Sequence, residues 1–180
     1  MKKILKLTLI LFLVSAIVAG VLGVVNLVTY ERIAEQERIK TERAFAAVLA
    51  SEGYEEVAFD KAAVPTVDVV NKCTGGEGYV VTTTFSGAQG SITMAVGVDN
   101  DYKCTGISII KHAETSGLGA NAASAAQVGV DFRAQFVGQD DTVAITKAGG
   151  TIDALAGATI TSRAVANATG TAIKAVESLG

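Results

Sequence analysis

The stretches Gly78-Tyr-Val-Val-Thr-Thr-Thr-Phe85 and Ser91-Ile-Thr-Met-Ala-Val-Gly-Val98 decide the fold. Both are rich in β-branched residues, and Gly87 to Gly90 between them supplies a turn, so they read as a β-hairpin. Asp99-Asn-Asp101 provides the next turn and Cys104-Thr-Gly-Ile-Ser-Ile-Ile110 a third strand, which extends the hairpin into an antiparallel meander. The Asp99/Asp101 pair lacks the glycine and distal glutamate that an EF-hand requires, so it is read as a hairpin turn and not as a calcium loop.

Downstream, the chain alternates loops with helical patterns. His112-Ala-Glu-Thr-Ser-Gly-Leu-Gly-Ala120 sets Glu114, Thr115 and Ser116 against the flexible Gly117-Leu118-Gly119. Such a loop lets backbone approach a flat ligand while hydroxyls and a carboxylate bond its edge. It is not the GxGxxG of a dinucleotide-binding fold. Residues 122–137 are expected to form a helix with Ala125, Val128, Phe132 and Phe136 along one apolar face, and residues 142–147 a strand. The second informative stretch is Thr151-Ile-Asp-Ala-Leu-Ala-Gly-Ala-Thr159-Ile-Thr-Ser-Arg-Ala-Val165. It passes from strand-like residues through a small-residue turn and presents Thr159 before a helix-start signal at Thr161 and Ser162. A helix beginning at about Arg163 aims unpaired N–H groups and its positive dipole end at that turn, where an anion can bind. The same pattern also describes an ordinary strand-to-helix connection. The final helix carries Val165, Ala168, Ala172, Val176 and Leu179 on its inward face, which makes the domain α+β, an antiparallel or mixed sheet packed by helices.

Upstream lies an appendage to this domain. After Lys2, Lys3 and Lys6, residues 7–30 contain no charged side chain and are long enough to cross a hydrocarbon core of roughly 30 Å. The run exceeds the apolar core of a cleaved signal peptide, about 7–15 residues, and is read as a single transmembrane helix. Basic flanks stay on the cytoplasmic side, so residues 1–6 are expected inside and the domain on the extracytoplasmic side of the cell membrane. Without those three lysines the chain keeps 12 basic against 18 acidic residues, a net of −6, which argues against a nucleic-acid partner. Glu31, Arg32, Glu35, Glu37, Arg38, Lys40, Glu42 and Arg43 alternate in sign and mark a helical stalk over 31–52, whose apolar end from Ala44 to Ala50 docks on the domain of residues 53–180. The connection between Gly53 and Pro65 has no readable pattern. Cys73 and Cys104 are the only cysteines, and no Cys/His cluster suggests a metal site. They are either one disulfide or two buried thiols.

Taken together, the basic N-terminus, membrane helix, charged stalk, Glu-Thr-x-Gly-Leu-Gly loop and Asp-x-x-x-Gly-Ala-Thr motif followed by Thr-Ser resemble the G-type subunit family of the Rnf ion-translocating oxidoreductase complex. That family has an FMN-binding domain and is related to the C-type subunit of the Na⁺-pumping NADH:quinone reductase. The resemblance covers nearly the whole chain. It implies that a flavin transferase joins FMN through its phosphate to Thr159, the last residue of a motif that Asp153, Gly157 and Ala158 complete. It also implies a cofactor site formed by Glu114, Thr115, Gly117, Leu118, Gly119, Thr161, Ser162 and Arg163, with no catalytic residue of the chain's own. Two positions depart from the family pattern: Ala156 stands where serine or threonine is usual and Ser116 where proline is common. The implied function is electron transfer within a membrane complex that couples ferredoxin:NAD⁺ oxidoreduction to Na⁺ or H⁺ movement, with other Rnf-type subunits and the lipid bilayer as partners. With no charge between Leu7 and Tyr30, an ion path would belong to those other subunits. The quinone reductase subunit, an anchored flavin-binding sensor and an assembly factor are the alternative readings.

Overall fold

The computed structural model describes residues 2–179, which form two compact units, one up to Lys40 and one from Thr41 onward. Helix α1 runs through Lys2–Val48 without interruption. No proline or glycine falls between Tyr30 and Val48, and the Ala, Glu, Arg and Lys that dominate there are strong helix formers. In the first unit the apolar window of this helix buries none of its side chains, as expected of a segment whose solvent is lipid. Beyond it, Arg38 reaches back to Glu35, its Nη2 2.8 Å from Oε1 and its Nε 3.1 Å from Oε2.

The second unit is built on a five-stranded sheet, β1 (Tyr54–Val57), β2 (Val67–Cys73), β3 (Tyr79–Ser86), β4 (Ser91–Val98) and β5 (Cys104–His112). The strands lie in sequence order and every pairing is antiparallel. The expected meander is therefore the C-terminal part of a longer one. Of the two additional strands, β1 comes from the connection that shows no pattern, and β2 follows Pro65 in a stretch where no strand was expected. A register shift between Val67 and Val69 breaks the alternation of β2, leaving Val67, Val70, Asn71 and Cys73 buried.

One face of the sheet carries the main core. Val70, Val81, Met94, Val96 and Ile107 pack there against α3 (Thr159–Glu177), Phe132 of α2 (Gln127–Ala134) and Phe136 just beyond it. Helix α3 lies inward along Val165, Ala168, Ala172 and Val176, the face its sequence indicated. The opposite face receives the last turns of α1, where Ala44 and Val48 pack with Cys73, Val80 and Ala95. Gly97 makes room for that docking: a Cβ there would lie 2.7 Å from the Val48 carbonyl oxygen, whereas one on Gly106 would sit at ordinary contact distance, 3.6 Å from Val48 Cα. Thr105 Oγ1 donates to the same carbonyl at 2.6 Å, and the Tyr54 hydroxyl donates to Leu49 O at 2.8 Å, so both satisfy acceptors that the helix end leaves open.

Two sequence expectations change and one open alternative is decided. Residues 122–137 do not form one helix: a 3₁₀ turn at Gly119–Ala123 ends at Ser124, whose Oγ accepts the Ala126 N–H at 3.0 Å, and α2 starts after extended Ala126. Phe132 and Phe136 are buried edge to face with centroids 5.3 Å apart, but Ala125 and Val128 are exposed. Gly129 takes the inward position instead, since a Cβ there would meet the carbonyls of Asn121 and Ser124. Residues 142–147 are not a strand. A tight turn through Gly149 (φ 86°) folds this segment on itself, leaving one parallel bridge between Ile145 and Ile152 and a 3₁₀ turn at Thr146–Ala148. Finally, both cysteines are free and buried on opposite faces of the sheet. Their strands are separated by β3 and β4, about 14 Å in strand spacings, beyond the roughly 7 Å Cα separation that a disulfide spans.

Candidate functional site

Antiparallel order brings three loops to one end of the sheet. The β3–β4 turn closes between Ser86 and Ser91, and Ile92 pairs with His112 at the end of β5, so the loop after β5 leaves beside that turn. The turn that precedes α3 completes the group. Between them lies a cleft of about 350 Å³ walled by Ala88, Gln89, Glu114, Thr115, Leu118, Gly119 and residues 157–161.

Each wall has a local cause. Leu155 to Ala158 form a turn closed by Ala158 N–H to Leu155 O at 3.0 Å, with Gly157 at φ 70° in its third position, a conformation that glycine adopts without strain. A Cβ on Gly157 would also lie 2.9 Å from Leu118 Cδ2, so the glycine permits close approach of the two loops. Helix α3 begins at Thr159, four residues before the position expected, with Ala158 as its N-cap and no side-chain cap. Thr161 and Ser162 are therefore not capping residues. Ser162 Oγ accepts the Leu155 N–H and donates to Ala158 O, both at 3.0 Å, which ties the preceding turn to the helix. The Ser162 N–H already bonds Ala158 O at 2.9 Å. The donors that face out of the helix start are thus those of Thr159, Ile160 and Thr161, not those near Arg163. Thr159 is half-buried in the cleft wall, its hydroxyl on the first residue of a 19-residue helix.

Glu114 is the buried acid of the site, 8% exposed. Its Oε1 accepts the N–H groups of Ala88 at 2.8 Å and Gln89 at 3.1 Å, and its Oε2 accepts the Thr161 hydroxyl at 2.6 Å. Burial alone would raise its pKa. The Thr161 hydroxyl and the backbone N–H groups of Gln89, Ala88 and Gly90 outweigh that and hold the carboxyl below its ordinary value. The carboxylate is therefore held on both oxygens by the protein while the residue lines the cleft.

The remaining sequence candidates divide. Thr115, Leu118, Gly119, Gly157, Ala158, Thr159 and Thr161 meet at the cleft. Gly117, at φ 78°, shapes the loop behind Leu118. Ser162 lies buried beneath the turn, and Arg163 is exposed outside the lining. Asp153 is exposed too, anchored through its N–H to Gln135 Oε1 at 2.7 Å. Sequence reading missed Ala88, Gln89 and Ile160. The first two showed only a turn signal, and Ile160, 65% exposed at the start of a helix, breaks the apolar pattern without announcing a ligand. With Leu118, 44% exposed, it gives the cleft an apolar rim.

The cleft sets apolar side chains at the rim against a threonine and open N–H donors at the helix start, a set that can hold a ligand with an apolar body and an anionic end. The RnfG N-terminal region family matches residues 1–48, and the FMN-binding domain family matches residues 87–174, which include every residue lining the cleft. The G-type subunit of the Na⁺-translocating ferredoxin:NAD⁺ oxidoreductase complex of Acetobacterium woodii is 32% identical over 200 residues, covering 99% of this chain and 94% of that protein. Its counterpart in the ion-translocating oxidoreductase complex of Methanosarcina acetivorans is 43% identical over 100 residues, covering 53% of this chain and half the length of that relative. Among solved structures, the C-type subunit of the Na⁺-translocating NADH-quinone reductase of Parabacteroides distasonis is 25% identical, covering 65% of this chain and 64% of that one with a TM-score of 0.48. The end-to-end relative, with family matches over both the anchor and the cleft, makes this chain a member of the RnfG family, the G-type subunits of ion-translocating oxidoreductase complexes.

Proposed function

We propose that this chain is the FMN-carrying electron-transfer subunit of a membrane complex that couples ferredoxin:NAD⁺ oxidoreduction to Na⁺ or H⁺ translocation, with FMN attached to Thr159. The observation that carries the reading is the placement of Thr159: it lines the cleft as the first residue of α3, beside open N–H donors. In the attached state Thr159 Oγ1 would carry the phosphate of FMN, and the N–H groups of Ile160 and Thr161 together with the helix dipole would stabilise its charge. Leu118 and Ile160 would cover an apolar ring, and Thr115 and Gln89 would supply polar contacts at the cleft. FMN supplies the redox chemistry, while the chain sets its position and surroundings.

Attachment requires an activated donor. When a flavin transferase uses a flavin dinucleotide, the Thr159 oxygen forms its bond to the FMN phosphorus, the phosphoanhydride breaks, the nucleoside monophosphate leaves, and the hydroxyl proton passes to a base of the transferase. Exposed Ala156 and Gly157 leave the acceptor turn open to that partner. Residues 7–30 are the membrane segment between a cytoplasmic N-terminus of residues 1–6 and a stalk of residues 31–52, with the FMN-binding domain of residues 53–180 on the extracytoplasmic side. The chain works within its complex and has no activity alone.

In-gel flavin fluorescence after denaturation tests the attachment, with the chain made beside its transferase. The wild-type band fluoresces and the Thr159→Ala band is dark; mass spectrometry then finds the FMN-phosphate addition on the Thr159 peptide. A fluorescent Thr159→Ala band, or an unmodified wild-type peptide alongside a known acceptor that is modified, refutes it.

A further inference from the structure

The acid that the loop after β5 contributes to the cleft spends all its hydrogen bonds on protein. One Glu114 oxygen is held by the β3–β4 turn and the other by the Thr161 hydroxyl, which is fully buried, 47 residues away in sequence and on the first turn of α3. Two glycines are shaped around this carboxylate. A Cβ on Gly87 would collide with Glu114 Oε1 and lie 2.7 Å from Ile92 Cδ1, and one on Gly119 would collide with Oε2 and lie 2.7 Å from Thr161 Oγ1. Neither glycine has a positive φ, so space around the acid, and not backbone freedom, is what these positions require. All three cleft walls therefore converge on one carboxylate.

We propose that Glu114 is a positioning residue, a clamp that fixes the first turn of α3 through Thr161 and thereby holds the Thr159 hydroxyl and the neighbouring N–H groups in the geometry of attachment, without itself contacting the flavin. The proposal rests on Thr159 being the acceptor. Thr161 stands two residues beyond Thr159, and with no side-chain cap on α3 the Glu114–Thr161 bond and the Ser162 bonds are the side-chain restraints on that turn. Removing the Thr161 hydroxyl frees the start of the helix and leaves a buried carboxylate oxygen without its donor.

The test uses the full chain in detergent, with Thr161→Val, Thr161→Ser, Glu114→Gln and the Glu114→Gln/Thr161→Val double variant. Amide hydrogen exchange of residues 157–163 is read on the unloaded chain, and the initial rate of flavin transfer is read with the transferase and a flavin dinucleotide. Losing a hydrogen bond to a charged group predicts about ten- to hundredfold faster exchange and a transfer rate lower by a factor in the same range in Thr161→Val. Thr161→Ser keeps the hydroxyl and restores both readouts, which separates the clamp from a general folding defect. At residues 157–163 the double variant is no worse than Thr161→Val, because once the Thr161 hydroxyl is gone Glu114 has no bond to the first turn of α3 left to lose. Wild-type exchange and transfer in Thr161→Val overturn the clamp. So does a Glu114→Gln chain whose exchange is unchanged but whose affinity for free FMN falls, since that result makes Glu114 a ligand. A wild-type chain that accepts no flavin overturns the attachment reading instead, and the exchange data on unloaded chain still decide the clamp.

Discussion

Replacing Gly119 with alanine separates a steric requirement from a conformational one. The added methyl carbon would collide with Glu114 Oε2, lie 2.7 Å from Thr161 Oγ1 and 3.0 Å from Glu114 Cβ. None of these is the far end of a flexible surface side chain, because Glu114 is bonded on both oxygens and Thr161 sits in a buried helix turn. The substitution must displace the carboxylate from Thr161, at a cost of about 1.5–3 kcal/mol for a hydrogen bond to a charged group. Overpacking adds about 1–3 kcal/mol, for a total of roughly 2.5–6 kcal/mol. In a unit of this size that lowers the melting temperature by about 8–24 °C. Cys73 and Cys104 are buried on opposite sheet faces, so a thiol-reactive fluorophore added during a thermal ramp of the detergent-solubilised chain reports opening of either face. Gly117→Ala is the control. Its Cβ would meet open space, and its cost is the left-handed φ of 78° alone, about 1–2 kcal/mol. A Gly119→Ala chain that melts within about 2 °C of wild type, or no lower than Gly117→Ala, refutes the steric account of the cleft floor.

Three further outcomes follow from the same geometry. Burial pushes the Cys104 thiol up to about 12, and with Cys73 on the other face of the sheet the native chain neither alkylates readily nor forms an internal disulfide under oxidation; non-reducing peptide mass spectrometry checks both. Thr105→Val removes the 2.6 Å bond to Val48 O and destabilises the docked end of α1 by about 1 kcal/mol, read as faster amide exchange over residues 44–49 and not at the cleft. Glu114 is held below its ordinary value of 4.5, so the unfolded chain binds its proton first as the pH falls; its stabilisation is complete above that value and lost as pH falls through the lower folded value. Acid denaturation of Glu114→Gln therefore has a shallower limb below about pH 4.5 than wild type, and identical limbs contradict the ionised clamp.

Local rules sufficed where an element satisfies itself locally. Strand β4 has the bounds its β-branched run implied, β3 is displaced by one residue, and α3 buries the face its spacing marked. Failures occurred where the partner lies far along the chain. The bulge in β2 hides its period, because two buried residues adjoin in sequence at Val70 and Asn71. Thr161 and Ser162 looked like caps because short hydroxyl side chains favour backbone partners at helix starts. Ser162 does find backbone partners, but from inside the first turn, and Thr161 bonds a carboxylate that only the fold brings near. The acceptor candidate Thr159 and the loop at Glu114 to Gly119 were legible as separate stretches; that one acid joins them was not.

The topology also fixes where the cleft lies relative to the docked end of α1. Gly97 and Gly106, which receive Val48, sit near the β4–β5 turn, whereas the cleft loops leave the sheet at Ile92 and His112. Five residues of β4 separate Ile92 from Gly97, about 17 Å at the rise of an antiparallel strand. The two ends carry different restraints: Thr105 and Tyr54 hold the helix end, while Glu114 holds the cleft, and they share no hydrogen bond. Substitutions at the two ends should thus add independently. On the proposed attachment, a flavin at Thr159 would occupy the end of the sheet remote from that docking contact, where Leu118 and Ile160 are exposed.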